Sequence, residues 1–202
     1  MLAVDPEGLL AVALITLGAC ESPPTAPLPG VDLVRTEQKK DAFAAALLPE
    51  VKAYYDEFIS REDDGVREIW SGCVRDGRAS VVGTAYGVGT HCRIVTVDGY
   101  PRRFVVYVPD GVKKRKAVPL VLMHHGSSGT GEKFYNISGW KEEADRRRFI
   151  VAFPTSLPYD VLDGGTATKW HDYSLLQMID AAWRPPGYPA ASPWPADDVS
   201  FI

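Results

Sequence analysis

A short glycine-containing loop is the part of this sequence whose residue types could do chemistry. Residues 124–129 read HHGSSG and follow directly on an apolar run. Backbone N–H groups in such a loop can come close to a bound ligand, because glycine places no Cβ atom in the way. The histidines and serines add polar side chains at the same place. This loop is therefore the first candidate for a functional site.

The sequence around the loop predicts a strand, a helix and a second strand. Val118–Met123 is apolar without polar alternation, which favours a parallel strand buried on both faces. Trp140–Arg148 is polar with Ala144 inside it, as in a short helix, and Phe149–Phe153 is a second apolar strand closed by Pro154. The loop would leave the first strand of one βαβ unit.

Five pieces of the sequence, in order, resemble a known family. They are the strand RRFVVYVP at Arg102–Pro109, the His-Gly loop, the series GW, AD and FIVAFP at 139–154, a later Trp, and DDVSFI at 197–202. Together they resemble the secreted esterases of the polyhydroxybutyrate depolymerase and feruloyl esterase kind, over roughly Cys92–Ile202. The resemblance implies an α/β-hydrolase fold, with a mostly parallel sheet opened by an antiparallel hairpin. It also implies carboxylic-ester hydrolysis by acyl transfer through a serine, which needs no cofactor.

The catalytic residues that this family would use are absent from the sequence. In α/β-hydrolases the nucleophile stands in G-x-S-x-G, and the acid and the histidine follow it along the chain. The 202 residues contain no G-x-S-x-G, and the nearest approach, His125–Gly129, has His in place of the first Gly. In the family, DDVSFI precedes the strand that leads to this motif. We therefore expect an N-terminal part of a hydrolase that is inactive alone.

By the resemblance, this chain would supply one side of an oxyanion hole. One donor of the hole comes from a loop after an early strand, and the other from the residue after the nucleophile. The loop donor would be the backbone N–H of Ser127, with Ser128 as its neighbour and His125 and Gly126 as support. The alternative is that HHGSSG is only a tight turn between a strand and a helix.

Other chemistry is less favoured at the two histidines. By the resemblance, His125 props the loop through hydrogen bonds, and neither histidine can be the triad histidine, which should follow the nucleophile. A metal site at His124 and His125 lacks further ligands at useful spacing. Ser127 acting as a nucleophile with either histidine as base is a weak alternative, because sequence neighbours seldom reach the required geometry.

The C-terminal third carries two aromatic residues and two acids of interest. By the resemblance, Trp170 and Trp194 lie in loops that line the substrate groove, although single aromatic residues more often serve packing. Residues 183–196 contain five prolines and predict a long irregular rim. Asp197 and Asp198 are typical of a helix start, where carboxylates cap free N–H groups, so neither is assigned as the triad acid.

One position departs from the family pattern. Relatives tend to have Gly where this chain has Arg148, between the helix and the second strand. A left-handed residue often ends a helix there, and a non-Gly residue in that conformation costs about 1–2 kcal/mol. Either the turn differs or this chain is slightly less stable than its relatives.

The N-terminal sequence predicts an export signal with a lipid anchor. Leu9–Leu17 is an apolar run of nine residues, too short to span a bilayer and of the length of a signal-peptide core. It ends in LGAC, which resembles a bacterial lipobox and predicts lipidation of Cys20. The leader has no Lys or Arg, so a misplaced start or a plain buried helix is the alternative. Glu21–Gly30 contains four prolines and predicts a tether over 21–35.

These features predict an exported protein with four segments. The location would be extracellular or at the cell envelope, with outer-membrane sorting if the cell is Gram-negative and the membrane contacted through the lipid on Cys20. The segments are a signal over 1–20, the tether over 21–35, a helical region over 36–72 and an incomplete α/β-hydrolase domain over 73–202.

Apolar residues recur at helical spacing from Thr36 to about Ser60, with Pro49 predicting a break or kink. We expect these helices to pack against the next domain, with docking of a partner as the alternative. The acidic residues 62–64 are expected to form a solvated turn without a metal ion.

The two remaining cysteines and a turn signal predict local structure before the loop. In an exported protein Cys73 and Cys92 are expected to form a disulfide, with the 18 residues between them in a hairpin or an exposed loop. Arg93–Val97 and Arg102–Val108 predict two strands joined through the turn residues 98–101. A reactive thiol is the alternative for the cysteines.

Composition bounds the possible functions. A net charge of −4 and a pI near 5.6 disfavour nucleic-acid binding, and 46% hydrophobic with 24% charged residues is typical of a globular protein. The expected partner is an ester substrate, a polyester or a feruloylated polysaccharide. Two alternatives remain open. One is a non-catalytic envelope lipoprotein that binds a glycan or a protein, and the other is a half-enzyme completed by a second chain.

Overall fold

The computed structural model describes residues 49–81, 86–112 and 117–202. The predicted signal segment, the tether, Cys20 and the helical positions up to residue 48 lie outside the described residues. Within the described ranges, no helix is both long and apolar enough to cross a membrane.

The described chain is a mixed α/β structure built on a five-stranded sheet, which confirms the predicted class. The strand order is β1-β2-β3-β5-β4. β1 pairs with β2 and β4 with β5 in parallel, whereas β2–β3 and β3–β5 are antiparallel, so the sheet is mixed where mostly parallel pairing was expected. The strands are Ala79–Val81 (β1), Gly89–Val97 (β2), Tyr100–Val108 (β3), Leu120–Leu122 (β4) and Ile150–Pro154 (β5).

A second, two-stranded sheet and several short helices surround the first sheet. β6 and β7 pair antiparallel. Helix α1 covers residues 49–57 in its described part, and a single 3-10 turn follows it at Ile59–Arg61. The other elements are α2 (Asp64–Arg75), α3 (Gly131–Ile137), α4 (Trp140–Arg147), β6 (Leu157–Asp160), β7 (Thr166–Lys169), α5 (Leu175–Met178) and α6 (Asp198–Phe201).

The predicted hairpin is confirmed, with a tighter turn than expected. Val97 and Tyr100 are paired, so only Asp98 and Gly99 form the turn. Both have positive φ, 51° and 75°, which is the conformation of the two-residue turns that match the twist of antiparallel strands. β2 also begins earlier than predicted, at Gly89.

The prediction that Val118–Met123 is a strand buried on both faces is wrong. β4 has three residues and lies at one end of the strand order, where it pairs only with β5. Leu120 is 43% exposed, and no described strand pairs with the outer side of β4. The apolar run therefore forms an edge strand of the described sheet instead of a central strand.

The segment after the loop contains two helices, of which the sequence reading found one. α3 was missed. Its signal was Thr130, whose side chain caps the helix by accepting a hydrogen bond from the Lys133 N–H. α4 ends as expected from the family pattern, with Arg148 left-handed at φ 61° in a position that favours Gly. The predicted second strand is confirmed as β5.

The helices before the sheet pack against it, as predicted for the described part of that region. Val51, Val66 and Trp70 are buried in one cluster with Cys92 and Ile94 of β2. The disulfide between Cys73 and Cys92 is present, with the Cα atoms 5.9 Å apart. It joins α2 to β2 in the interior. Between the two cysteines β1 runs parallel to β2, so the hairpin alternative was wrong, whereas residues 75–78 and 86–88 are exposed, as the loop alternative expected.

The acidic turn at 62–64 is not simply a solvated face. Asp63 caps α2 by accepting a hydrogen bond from the Val66 N–H. Glu62 accepts a hydrogen bond from Arg103 at 2.5 Å. Its carboxylate is thereby drawn against the sheet by a buried cation, which composition alone did not indicate.

Candidate functional site

The HHGSSG loop lies at an edge of the sheet where ligands commonly bind. It leaves the carboxyl end of β4, and Thr155 and Ser156 leave the carboxyl end of β5. Because these two strands are parallel neighbours, both ends lie at the same edge. Open α/β sheets bind ligands in the crevice outside the carboxyl ends of their strands. The topology therefore places the loop where a site is expected.

His125 holds the loop from beneath. Its ring nitrogen Nε2 accepts a hydrogen bond from the Ser156 N–H at 3.0 Å, so the proton is on Nδ1, which lies 2.7 Å from the Gly126 carbonyl oxygen and donates to it. The residue is only 4% exposed, and burial lowers the pKa of the imidazole. A neutral ring with both nitrogens engaged supports the loop and has no free lone pair to act as a base.

Strand β7 holds the loop from the other side. The Ser128 N–H donates to the Thr168 carbonyl oxygen at 2.9 Å, and the Thr168 hydroxyl donates to the Gly129 carbonyl oxygen at 2.5 Å. The Trp170 indole N–H donates to the His125 carbonyl oxygen at 2.8 Å, and its ring packs on both histidines. Trp170 therefore lies at the loop, and a strand that the sequence reading did not identify fixes the loop backbone.

Only one of the two predicted oxyanion donors is free. Ser128 has a left-handed backbone, φ 61°, and its N–H is occupied by Thr168. Ser127 is exposed, and its N–H has no acceptor among the residues that the structure describes. In this conformation Ser128 is a support residue, and Ser127 alone offers an amide to a ligand.

Lys169 is a site residue that the sequence reading missed. At the end of β7 its ammonium donates a hydrogen bond to the Ser127 hydroxyl, with Nζ and Oγ 3.1 Å apart. A single lysine in a polar segment gives no signal by itself. The only available clue was its place directly before Trp170.

A buried charge network lies behind the loop and starts from Glu132 on α3. The Trp70 indole N–H and the Thr155 hydroxyl donate to this carboxylate at 2.7 and 3.1 Å. Arg103 Nε lies 3.1 Å from the same carboxylate, and Thr155 Oγ1 also accepts the Gly131 N–H at 2.9 Å. The network thus ties α2, α3 and β3 to the residue next to Ser156.

Glu132 is ionised in this network. Burial alone would raise the pKa of its carboxyl group, but the Arg103 charge and the hydrogen bonds from Trp70 and Thr155 outweigh burial, so the pKa lies below its usual value. Burial would lower the pKa of the Arg103 guanidinium, but Glu132 and its other neighbours reverse this and raise it. Both groups therefore keep their charges in the interior.

A cleft of about 160 Å³ lies next to the loop supports. Tyr54 of α1, Phe58 directly after α1 and Tyr100 of β3 form aromatic walls, and Ser156 and Thr168, whose backbone or side-chain groups hold the loop, also line the cleft. Burial raises the pKa of Tyr54 to about 12, so this wall is an uncharged phenol at neutral pH. The cleft can take a small group with both apolar and hydrogen-bonding surface.

The remaining predicted site residues lie away from the loop or are engaged elsewhere. Trp194 packs in an aromatic cluster, with its ring 4.9 Å from Tyr159 and 4.8 Å from Tyr188, which is a core role. Asp197 caps α6 as predicted by accepting the N–H groups of residues 199 and 200. Asp198 is buried and pairs with Arg102 at 2.6 Å.

Asp198 also accepts the His171 N–H at 2.6 Å, so both of its oxygens are engaged.

No group of three or more His, Cys, Asp or Glu residues that could hold a metal ion occurs in the described parts of the chain. No protein-family model, no curated protein and no solved structure matches this chain. Its function therefore has to be argued from the site itself.

Proposed function

We propose that this chain is part of a carboxylic-ester hydrolase of the polyhydroxybutyrate depolymerase and feruloyl esterase kind, with an α/β-hydrolase fold. In this proposal the Ser127 N–H is one donor of the oxyanion hole. The observation that carries it is a free amide in a loop whose flanking residues are fixed, at the carboxyl edge of the sheet. The site needs no cofactor for this chemistry.

The arrangement suits transition-state stabilisation better than substrate attraction. An oxyanion hole works because its donors are already aimed when charge develops on the carbonyl oxygen, and losing one donor costs about 3 kcal/mol. Here the hydrogen bonds of His125, Thr168 and Trp170 fix the backbone on both sides of Ser127. The loop therefore would not have to reorganise during the reaction.

The nucleophile has to come from another polypeptide segment, because the 202 residues contain no G-x-S-x-G. β4 offers a place for such a segment. Its outer side is unpaired among the described strands, Leu120 is exposed, and an open strand edge is a template for pairing. Whether the segment follows in the same polypeptide or belongs to a second one, residues 1–202 alone should be inactive.

The experiment is to express the chain together with the coding sequence that follows codon 202 and to assay 4-nitrophenyl butyrate hydrolysis. A segment with G-x-S-x-G should give turnover that Ser127→Pro abolishes, because proline has no N–H. Ser127→Ala is the matched control, since it keeps the amide and removes only the hydroxyl. Absence of a nucleophile segment, or equal activity of the two variants, would overturn the proposal.

The 202-residue chain itself supplies a second test. It should hydrolyse the same ester no faster than its Ser127→Ala variant does. Hydrolysis by the chain that Ser127→Ala removes would show that Ser127 is itself a nucleophile, and the proposed division of the site would then be wrong.

The second candidate function is a non-catalytic envelope lipoprotein that binds a glycan or a protein. The cleft favours it, because aromatic walls beside hydroxyl groups suit a neutral sugar ring. Xylobiose should then bind the chain in isothermal titration calorimetry, and Phe58→Ala should weaken this binding. Equal titrations of the two proteins would remove this candidate.

Export and lipid anchoring remain part of the proposal. A disulfide buried between α2 and β2 supports folding in an oxidising compartment, since cytosolic proteins rarely keep such bonds. Labelling with a radioactive fatty acid, lost in Cys20→Ala, is the direct measurement.

A further inference from the structure

Three hydrogen-bond donor groups meet at Ser127: its amide, its hydroxyl and the Lys169 ammonium, which is bonded to that hydroxyl. The Lys169 ammonium donates to the Ser127 hydroxyl oxygen at 3.1 Å, and an ammonium can only donate. The hydroxyl hydrogen is therefore directed elsewhere. The Ser127 N–H is free with respect to the described residues, and Lys169 has two further N–H groups. All of these donors belong either to Ser127 or to the Lys169 side chain that is hydrogen-bonded to it.

Lys169 is positioned by its neighbours in sequence. Thr168 before it and Trp170 after it both form hydrogen bonds to the loop. Lys169 itself pairs with Leu157 across the β6–β7 ladder. Its backbone is therefore fixed on both sides, which differs from a lysine that extends freely from a surface.

No described carboxylate neutralises this lysine by an ion pair. Asp172 is a nearby acid whose carboxyl pKa is lowered by the hydrogen bonds from the Ser174 hydroxyl and N–H, each at 2.8 Å to Oδ1, and also by the Lys169 charge, but the two side chains form no ion pair. Asp198 is already paired with Arg102. Apart from the Ser127 hydroxyl oxygen, no described residue accepts a hydrogen bond from the Lys169 ammonium, so the site has a positive charge and unused donors.

We propose that Ser127 and Lys169 form a binding subsite for a carboxylate group. A carboxylate offers two oxygens, so one can accept from the Ser127 amide or hydroxyl while the other accepts from the ammonium. Charge-assisted hydrogen bonds of this kind are stronger than neutral ones. The subsite goes beyond the proposed ester hydrolysis, since it requires no nucleophile and no turnover.

Two sources could supply this carboxylate. One is the acid released when an ester is hydrolysed, and the other is a carboxylate that the intact ester already carries. Butyrate represents the first and monomethyl succinate the second. Butyramide, which has nearly the shape of butyrate without its charge, is the neutral control for both.

The experiment is a titration of the ¹⁵N-labelled chain with each probe, followed at the Ser127 amide signal. At low ionic strength butyrate or monomethyl succinate should shift this signal with a dissociation constant in the millimolar range, because the subsite is exposed. The tighter of the two identifies the source. Butyramide should bind at least about fivefold more weakly, and salt at about 0.3 M should weaken carboxylate binding through screening.

Variants isolate the charge of the lysine. Lys169→Met should weaken carboxylate binding at least about fivefold, and Lys169→Arg should retain most of it, because guanidinium keeps the charge. Lys52→Met is the matched control on α1, where Lys52 pairs with Asp56. Ser127→Ala, an exposed change, should weaken binding by a smaller factor.

Equal shifts by butyrate and butyramide, or unchanged binding in Lys169→Met, would overturn the carboxylate subsite. Neither result bears on the esterase proposal, which depends on turnover and on the Ser127 amide. Conversely, the gene could carry no nucleophile segment while the chain still binds a carboxylate. The esterase proposal would then be refuted and the carboxylate subsite supported.

Discussion

Gly131→Ala should destabilise the protein strongly, because a single added methyl group meets backbone there. The first residue of α3 lies directly against the end of β5. A Cβ at Gly131 would clash with the Phe153 carbonyl oxygen, and it would stand 2.8 Å from the carbonyl carbon and 3.0 Å from the Pro154 oxygen. These are backbone atoms, which cannot rotate away as the end of a side chain can.

The size of the effect follows from the displacement that relief requires. Restoring an ordinary contact of 3.4 Å to the Phe153 carbonyl carbon moves α3 or β5 by at least about 0.6 Å. This also stretches the hydrogen bond from the Gly131 N–H to Thr155. Overpacking costs about 1–3 kcal/mol, and the better helix propensity of alanine returns at most about 1 kcal/mol. With the strained hydrogen bond added, we expect a net loss of about 2–3 kcal/mol.

Two other glycines provide matched controls for the thermal unfolding assay. A Cβ at Gly126 would meet nothing within 4 Å, so Gly126→Ala should change stability little. Gly72 lies inside α2 with only the end of the Arg75 side chain nearby, at 3.7 Å, so Gly72→Ala should raise stability by up to about 1 kcal/mol. Gly131→Ala should lower the Tm by about 4–12 °C.

The reasoning is refuted if Gly131→Ala melts within about 1 °C of the parent while Gly72→Ala behaves as expected, since the assay would then be sensitive and the clash absent. A lowered Tm together with faster hydrogen exchange at Ser156, but not at Ile94, would place the damage at the loop supports.

Three further changes test other parts of the structure. Glu132→Gln should cost about 3–5 kcal/mol in urea unfolding, because it leaves the buried Arg103 charge underpaired. The pKa of the Glu132 carboxyl group is lowered in the folded state. The difference in unfolding free energy between the parent and the variant should therefore be full above the unfolded pKa of about 4.3 and should vanish as the pH falls through the folded pKa. A difference that grew in acid would refute this sign. Replacing Cys73 and Cys92 by serine should cost about 3 kcal/mol through the lost loop constraint, and an unchanged urea midpoint would contradict it. Arg148→Gly should stabilise by about 1 kcal/mol, because φ is 61° there, and a lower Tm in differential scanning calorimetry would show that the arginine side chain contributes more than its backbone costs.

The parts of the fold that the sequence predicted are those with local signals. The Asp98-Gly99 turn, the Asp197 cap and the strand that ends at Pro154 each depend on residues that are neighbours along the chain. The edge position of β4 could not be predicted in this way, because an apolar run indicates burial without saying which strands lie beside it.

The site was only partly predictable for the same reason. The glycine and histidine residues of HHGSSG indicated a functional loop, and the resemblance to the esterase family predicted that His125 supports it. Lys169 reaches Ser127 across 42 positions, and Arg102 reaches Asp198 across 96 positions. Pairs at such separations depend on how the sheets come together, which no local pattern of a single sequence records.

The disulfide and the Glu132 network make the helices and the sheet one structural unit. The predicted segment boundary between residues 72 and 73 falls inside α2, directly before the half-cystine Cys73 that is bonded to Cys92. Trp70 and Glu62, both before that boundary, supply partners to Glu132 and Arg103 beyond it. A recombination event that exchanged the helices alone would leave an unpaired thiol at Cys92 and an underpaired buried cation at Arg103, so a stable hybrid would have to exchange the helices and the sheet together.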